Sequence, residues 1–380
     1  FGLVGIDGLK IEPLSDELTA KQGDVHKPIE DTSALFEDLD KRILTGFGGV
    51  AEYGITVRWD KNFLKLIYLN LLRRDRFKVF GGIRFGGTLT IEDAWKYGFD
   101  HIAMATGAGK PTIIPVKNNL IRGVRKASDF LMGLQLTGAF KKNNLSNLLI
   151  RLPAVVIGGG LTGVDTATEI MAYYPVQVEK FLTRYEQMLS VSTEEKLTER
   201  LSEEDKEIMQ EYITHGQAIR EERKQAEKEG VKPGFVPLIK KWGGVSLVYR
   251  KRMFDSPAYR LNHEEVVKAL EEGIYFIEQH SPAECLRGKH GSLDGVVFEK
   301  QFLNDEGKWR STGDKITLPA RSMCVAAGTS PNTVYEKEQP GSFIMDEWKW
   351  FFQKYADNKG ELIKGESHGQ DFFTSYDKQG

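Results

Sequence analysis

Cysteine is scarce in this sequence, and its scarcity excludes several kinds of chemistry. The only two cysteines, Cys285 and Cys324, lie far apart and belong to no C-x-x-C pair. A dithiol redox centre, a thiolate-bound iron–sulfur cluster and a structural zinc site all need more thiols at closer spacing. The seven histidines form no H-x-x-x-H pattern. We therefore predict no metal site, and a chain suited to the reducing cytoplasm.

The sequence also lacks an excess of charge and a long apolar run. Its formal net charge is −2, which provides no electrostatic footprint for nucleic acid or an anionic membrane. No apolar run approaches the ~18–20 residues that span a bilayer. The opening residues, Phe1–Ile6, carry neither a basic region nor a small-residue cleavage pattern. We predict a cytoplasmic protein with no nucleic-acid partner and no membrane span, in a chain that begins inside a strand.

Glycine is abundant, and its most informative cluster follows the apolar run Pro153–Ile157 and opens a helical pattern. The cluster consists of Gly158, Gly159, Gly160, Leu161, Thr162 and Gly163. A Gly-x-Gly-x-x-Gly turn between a buried strand and a helix is typical of a dinucleotide site. Gly158 permits the tight turn, Gly160 leaves room for a pyrophosphate, and Gly163 lets the helix pack closely. The helix N-terminus then offers free N–H groups to the phosphates. An ordinary glycine-rich turn, or a site for another nucleotide-type ligand, remains the alternative.

Two earlier segments predict part of a second nucleotide-binding domain. Phe1–Ile6 indicates a buried strand that ends at Asp7, where an acid bonds the ribose hydroxyls in a dinucleotide-binding unit. A turn aspartate before Gly8 is the alternative. Residues 101–105 indicate a second buried strand, and it runs into a glycine-rich turn at Thr106-Gly107. Such turns at strand ends are where open α/β sheets bind ligands.

Five motifs occur in a fixed order along the chain. They are Gly48-Gly49 with Tyr53-Gly54-Ile55, Ala105–Pro111, Ser128–Leu131, Gly158–Asp165 and Val325–Thr333. Together they resemble the small (beta) subunit of glutamate synthase and its relatives. Those proteins are FAD- and NAD(P)H-binding oxidoreductases with two dinucleotide-binding domains, and the resemblance covers nearly the whole chain apart from insertions.

The resemblance implies a role for each matching residue. The positions implied for FAD are Gly48 and Gly49 against the cofactor, Tyr53, Gly54 and Ile55 near the flavin, and Ala105, Thr106 and Gly107 beneath it through backbone groups. Ala327 and Gly328 would return the chain to the FAD domain, and Gly158, Gly160 and Gly163 would hold the NAD(P)H pyrophosphate. The sequence departs from the pattern at Thr56, where proline is usual. It also lacks the FAD glycine loop and the late Gly-Asp segment, so we expect the 380-residue chain to be poorly soluble and to hold no stoichiometric FAD.

A basic run indicates which nicotinamide cofactor binds. Residues 245–249 predict a strand that ends in Arg250, Lys251 and Arg252. If this is the second strand of the nicotinamide domain, cations stand where an acid would select NADH, and a guanidinium can pair with the 2′-phosphate of NADPH. A basic surface turn is the alternative. A competing register makes 176–182 the strand and Arg184 the cation, at the more usual spacing from the glycines, although the helical period there argues against it.

These observations combine into one prediction of fold and function. The fold is α/β, with two interleaved Rossmann-like dinucleotide-binding domains. Residues 1–140 would form the FAD domain and 141–317 the NAD(P) domain, with a solvated helical insertion over 174–242. Residues 318–342 would return to the FAD domain, and 343–380 would be a truncated C-terminal segment. A helical docking arm is the alternative for the insertion.

The predicted function is hydride transfer from NADPH, or NADH, to FAD. An electron-accepting domain or subunit outside this chain would take the electrons next, because nothing in the sequence can hold them. No side chain is needed as a general acid or base, so no catalytic residue is predicted. The alternative is a non-catalytic nucleotide-binding or assembly module that has lost the flavin.

Overall fold

The chain divides into two units. In the computed structural model, the residues described are 40–41, 71, 74, 76–78, 80, 83–358 and 361–365. The larger unit contains residues 113–327 together with Asp40 and Lys41, and the smaller unit contains residues 83–112 and those from 328 onward. The strands are β1 Lys110–Pro111, β2 Val124–Lys126, β3 Ala154–Ile157, β4 Val245–Val248, β5 Tyr275–Ile277, β6 His280–Arg287, β7 Leu293–Leu303, β8 Trp309–Pro319, β9 Ser322–Val325, β10 Thr329–Ser330, β11 Tyr355–Asn358 and β12 Glu361–Lys364.

The helices complete this description. They are α1 Ile91–Lys96, α2 Ala127–Thr137, α3 Leu161–Leu189, α4 Glu194–Thr198, α5 Glu203–Glu229, α6 Val236–Lys241, α7 Pro257–Glu271 and α8 Val334–Glu338, with a 3₁₀ turn at Met253–Asp255. The α/β class is confirmed, and along the chain residues 113–327 of the larger unit follow the first segment of the smaller unit and precede its second segment.

A five-stranded parallel sheet organises the larger unit. Its strand order is β5-β4-β3-β9-β2, and Val155 lies between Ser246 of β4 and Met323 of β9. All four residues of β3 are buried, as expected for an apolar run in a parallel sheet that is covered on both faces. The chain passes from β3 to β4 and β5 on one side, and β9 lies on the other. The carboxyl ends of β3 and β9 therefore form a topological switch point, where open α/β sheets bind ligands.

The limits of this unit differ from the predicted domain limits at 140/141 and 317/318. β2 and β9 both belong to the parallel sheet, so the unit that contains the nicotinamide-type turn runs from 113 to 327. We had assigned the residues of β2 to the FAD domain, because Val124-Arg125-Lys126 are of mixed polarity and do not predict a strand by themselves.

Helix α3 is longer than the sequence indicates. Proline at position 175 favours an end to the helix near Ala172, but α3 continues unbroken to Leu189 with Pro175 inside it. Proline removes one backbone hydrogen bond and normally bends or ends a helix. Here the two preceding residues, Tyr173 and Tyr174, are fully buried in the main core. Their packing offsets the free energy that the proline costs the helix.

The insertion is less solvated than predicted, because α5 packs along α3 and contributes Tyr212 and Ile219 to the main core. Although the sequence of α5 is mostly charged, the helix contains buried residues, among them Tyr212, Ile213 and Ile219. Its acidic side chains also make ion pairs with the body of the unit. These pairs are Arg122 with Glu204, Lys289 with Glu207, and both Arg151 and Arg321 with Glu211.

A three-stranded antiparallel sheet, β6-β7-β8, follows β5. Its last two strands, β7 and β8, form an antiparallel pair around the turn Asn304–Gly307. The buried β7 residues Val296 and Phe298 pack in a second core with Val155 and Met323. Cys285 belongs to the same core, and burial raises the pKa of its thiol to about 11.

The smaller unit is held by local contacts between its two segments. A capping box at Thr90 and Asp93 starts α1. The Tyr335 hydroxyl accepts the Ile91 N–H at 2.9 Å, and Phe85 stacks on the Tyr335 ring at 4.6 Å. β1 pairs with β10, and β11 pairs with β12.

The buried strand that we predicted at residues 101–105 is absent. These residues have no strand geometry, and their side chains alternate between exposed and half-buried. The segment makes no ladder with any strand of the described chain, and residues 1–6, where we predicted another strand, lie outside the described residues. An apolar run becomes a strand only where a neighbour completes its hydrogen bonds.

Two further features concern the described chain as a whole. No helix within it is both long and apolar enough to cross a membrane. Its described residues also bring no three His, Cys, Asp or Glu side chains together in a group that could hold a metal ion.

A half-buried histidine, His215, makes the stability of the larger unit depend on pH. The His215 Nδ1 atom lies 2.7 Å from the Tyr174 hydroxyl, and the ring stacks on Trp242 at 3.8 Å. Burial lowers the pKa of His215 from 6.5 to about 4. A histidine with a depressed folded-state pKa stabilises the fold above its unfolded pKa, and this stability is lost as the pH falls from 6.5 towards 4.

We expect the free energy of unfolding to fall by about 1–2 kcal/mol between pH 7 and pH 4 through this residue, after allowance for partial solvent screening. Urea unfolding at both pH values should show a smaller loss in His215→Gln, which cannot titrate. The matched control is His263→Gln, since His263 is exposed on α7. An unchanged pH dependence in His215→Gln would contradict the assignment.

Candidate functional site

The glycine-rich turn lies at the switch point of the parallel sheet. Gly158–Gly160 connects the carboxyl end of β3 to the first residue of α3. The Ala326 N–H donates to the Ile157 carbonyl oxygen at 2.7 Å, so the end of β9 runs beside the turn. The structure therefore brings the predicted glycines to the edge of the sheet where a ligand is expected.

Two of these glycines are required by packing. Gly158 has a φ of +141°, and a Cβ there would overlap the Ala326 carbonyl oxygen. A Cβ at Gly163 would lie 2.8 Å from the Gly158 carbonyl oxygen and 3.2 Å from Leu247 Cδ1. These positions let the turn, the helix and β4 approach one another, which agrees with the roles predicted for Gly158 and Gly163.

Gly160 differs from both, because no packing contact explains it. Its φ of −89° suits any residue, and among the residues that the structure describes a Cβ there would meet no atom within 4 Å. Gly160 is the N-cap of α3 and has no side chain to occupy the helix end. The backbone N–H groups of Leu161 and Thr162 find no acceptor among the residues described, as is usual in the first turn of a helix. The turn thus presents open space and free donors at the positive end of a 29-residue helix.

Gly159 is held by two residues that the sequence did not indicate. A Cβ at Gly159 would lie 2.5 Å from Cδ2 of the Tyr249 ring, so this ring lies directly against the turn. The Gly159 carbonyl oxygen accepts the Ala258 N–H of α7 at 3.0 Å. Tyr249 could have been found from its place in the sequence, one residue after β4, where a dinucleotide-binding unit that selects NADH carries an acid.

The register chosen for the basic run is confirmed, since β4 lies beside β3 with Ala154 opposite Val245. The competing register is wrong, because 176–182 lies within α3. Arg184 instead donates to the backbone carbonyls of Asn144 and Leu145. Arg250, Lys251 and Arg252 therefore follow the second strand of the sheet.

The three cations differ in what they contact. Arg252 is bound to Asp255, with 2.8 Å between Nε and Oδ2, and this hydrogen bond lowers the pKa of the Asp255 carboxyl. Arg260, which the sequence did not indicate, approaches the same carboxylate at 3.6 Å. Arg250 is exposed and has no ion-pair partner in the described part of the chain. Of the predicted cations, Arg250 and Lys251 have no carboxylate partner in the described part of the chain, and Arg250 is the more exposed of the two.

The residues predicted to contact FAD are only partly described. Thr106 and Gly107 lie beside Asn332, whose N–H donates to the Gly107 carbonyl at 2.9 Å. Gly328 has a φ of +97° and accepts the Thr112 N–H at 2.9 Å. Ala327 is the last residue of the larger unit. The other predicted positions, Asp7, Gly48, Gly49, Tyr53, Gly54 and Ile55, lie outside the described residues.

Comparisons with known proteins add a limited amount. No family model matches the chain. It is 38% identical over 352 residues to a protein named Uncharacterized protein RP006 from Rickettsia prowazekii (strain Madrid E). The alignment covers 90% of this chain and 46% of that protein, so the chain spans less than half the length of this relative.

Two solved structures are similar at a low level. FprA of Mycobacterium tuberculosis in complex with NADPH is 15% identical, with a TM-score of 0.47, over 81% of this chain and 66% of its own. A T. acidophilum thioredoxin reductase is 14% identical, with a TM-score of 0.31, over 63% of this chain and 47% of its own. The assignments for this chain therefore rest on its own residues, and the resemblance to the glutamate synthase small subunit stays a prediction.

Proposed function

We propose that the Gly158–Gly163 turn binds the pyrophosphate of a nicotinamide dinucleotide. The observation that carries the proposal is the contrast within the turn, where Gly158 and Gly163 are needed for packing and Gly160 is not. A glycine that packing does not require leaves space at the end of a helix whose first N–H groups are free. A pyrophosphate supplies the acceptors and the negative charge that such a helix end favours.

The preferred cofactor in this proposal is NADPH. A dinucleotide-binding unit that selects NADH places an acid at the end of its second strand, to bond the ribose hydroxyls. Here Tyr249 follows β4 directly, and exposed Arg250 comes next. A tyrosine does not repel a 2′-phosphate as a carboxylate does, and a guanidinium can pair with it through two parallel hydrogen bonds.

The proposed activity of the whole protein is that of an FAD-dependent NADPH oxidoreductase. This step rests on the resemblance of the five ordered motifs, and the acceptor lies outside this chain. Hydride transfer between nicotinamide and flavin is the chemistry that the two cofactors supply. The chain's own residues bind the phosphates and fix the position of the dinucleotide, with Tyr249 and α7 holding the turn rigid. No side chain of the described chain is assigned a proton transfer.

A visible spectrum of the purified protein tests this proposal. The spectrum is recorded on the product of the complete gene as well as on the 380-residue chain. We expect the complete product to be yellow and its flavin band to bleach when NADPH is added without oxygen. A yellow protein that NADPH does not bleach, together with no measurable NADPH binding, would contradict the proposed electron transfer.

The second candidate is a nucleotide-binding or assembly module without flavin. The observation that favours it is that the described chain contains a single glycine turn at a parallel-sheet switch point, and this turn belongs to the nicotinamide-type unit. A colourless complete product that still binds NADPH would identify this module and exclude the oxidoreductase.

A further inference from the structure

A cavity separate from the glycine turn lies within the larger unit. It has a volume of about 820 Å³ and is enclosed by the loop after α2 and by helices α3 and α5. Its α3 residues, from Val176 to Gln187, begin 16 positions after Gly160, which corresponds to roughly 24 Å along the helix. The cavity is therefore distinct from the proposed dinucleotide site.

The walls of this cavity are rich in cations. Its positively charged residues are Lys142, Lys180, Arg184, Arg220 and Arg223. Its acidic residues are Asp40 and Glu179, and Glu186 nearby binds Arg220 through two hydrogen bonds of 2.7 and 2.9 Å. Five cations thus face three carboxylates, which leaves an excess of two positive charges.

Two of the cations are fixed in place without any carboxylate. The Lys180 side chain is 7% exposed, and its Nζ donates to the carbonyls of Ala139 at 2.6 Å and Ser146 at 2.9 Å. Arg184 donates to the carbonyls of Asn144 and Leu145. Within the described chain neither side chain has an ion-pair partner. Burial, and after it the charge of Arg184, lowers the pKa of Lys180 to about 8, as expected for a positive charge that is not neutralised.

Two further cations, Lys142 and Arg223, have N–H groups that bind none of the described residues. The Lys142 side chain is exposed and bonds none of the described residues. Arg223 uses only its Nε for Glu179, at 2.9 and 3.0 Å, so its two terminal NH₂ groups are available. Guanidinium and ammonium groups that converge on one cavity are the usual means of binding phosphate oxygens.

We infer that this cavity binds a small phosphorylated metabolite with at least two negative charges. The ligand would be held by Lys142, Arg184 and Arg223, while Lys180 contributes charge from the wall. The two lining carboxylates are already engaged, because Asp40 accepts the Lys142 backbone N–H at 2.9 Å and Glu179 accepts Arg223 Nε. The excess of two positive charges matches a dianion. An anion bound here would bridge α3 and α5, the two helices that carry the insertion.

Isothermal titration with inorganic pyrophosphate at constant ionic strength tests the inference. The titration uses the full 380-residue chain carrying Gly160→Val, so that the proposed dinucleotide turn does not contribute. We expect one saturable site per chain. Lys142→Gln and Arg184→Gln, each added to this background, should each weaken binding by about tenfold or more, since each removes charge-assisted hydrogen bonds.

The control substitutions remove the same charges elsewhere. Lys241→Gln and Arg200→Gln replace exposed cations outside the cavity and should leave the affinity unchanged. Lys142 has no contact that the fold needs, so weaker binding in Lys142→Gln cannot come from unfolding. Thermal unfolding of Arg184→Gln checks that its loop remains folded. Absence of saturable binding, or an affinity that both cavity substitutions leave unchanged, overturns the inference.

Discussion

Gly160→Val should abolish binding of nicotinamide dinucleotide while the fold is retained. The φ of Gly160 suits valine, and a Cβ there meets no atom of the described residues within 4 Å. The added side chain would instead occupy the space over the first turn of α3. We expect the Kd for NADPH to rise by about 100-fold or more, because the phosphates would lose at least two charge-assisted hydrogen bonds worth about 1.5–3 kcal/mol each.

Gly163→Val is the matched control for this prediction. It lies in the same turn and gains the same side chain, but its Cβ would lie 2.8 Å from the Gly158 carbonyl oxygen. Crowding of this kind destabilises a fold by about 1–3 kcal/mol. Titration of NADPH fluorescence measures binding, and urea unfolding measures stability. Gly160→Val should change only NADPH binding, and Gly163→Val should lower the free energy of unfolding. Normal NADPH binding by a folded Gly160→Val protein would show that the turn is not the pyrophosphate site.

Local signals in the sequence were sufficient for the turn and its strand. The run Ala154–Ile157 is short and apolar, and glycine follows it. This pattern is typical of a buried strand that enters a turn. Residues 245–248 carry the same kind of apolar signal, which is why the register of the basic run could be predicted. These features depend on neighbouring residues alone.

The features that the sequence did not indicate depend on distant contacts. Pro175 predicts a helix end, yet α3 continues because Tyr173 and Tyr174 are buried against other elements. The acids of α5 resemble a solvated surface until Arg122, Arg151 and Arg321 are placed opposite them. Single-sequence patterns record which side chains are charged but do not record where their partners lie.

Within the candidate site the same limit applies to the residues around the basic run. The sequence indicated Arg250, Lys251 and Arg252 as equivalent, because three adjacent cations look alike. The structure distinguishes them through Asp255, which binds Arg252 and lies near Arg260. Only the folded β4–α7 connection shows that Arg252 is bound to a carboxylate, whereas exposed Arg250 has no ion pair in the described chain.

Arg250→Gln should weaken NADPH binding selectively. Arg250 follows Tyr249 at the end of β4, is exposed, and has no ion pair within the described chain, so its guanidinium is available to the 2′-phosphate. Loss of a charge-assisted hydrogen bond of about 1.5–3 kcal/mol raises the Kd for NADPH by about 10- to 100-fold. NADH has no 2′-phosphate, so its Kd should change by less than about threefold, within the usual effect of an exposed substitution.

The ratio of the two dissociation constants is the decisive measurement, because a general disturbance of the turn would raise both equally. Arg310→Gln provides the matched control, since it removes an exposed arginine from β8 in the antiparallel sheet and should leave the ratio unchanged. Arg252→Gln is the informative comparison within the site. Its guanidinium is already bound to Asp255, so we expect a smaller selective loss than for Arg250→Gln. Equal weakening of NADPH and NADH by Arg250→Gln would place the 2′-phosphate elsewhere.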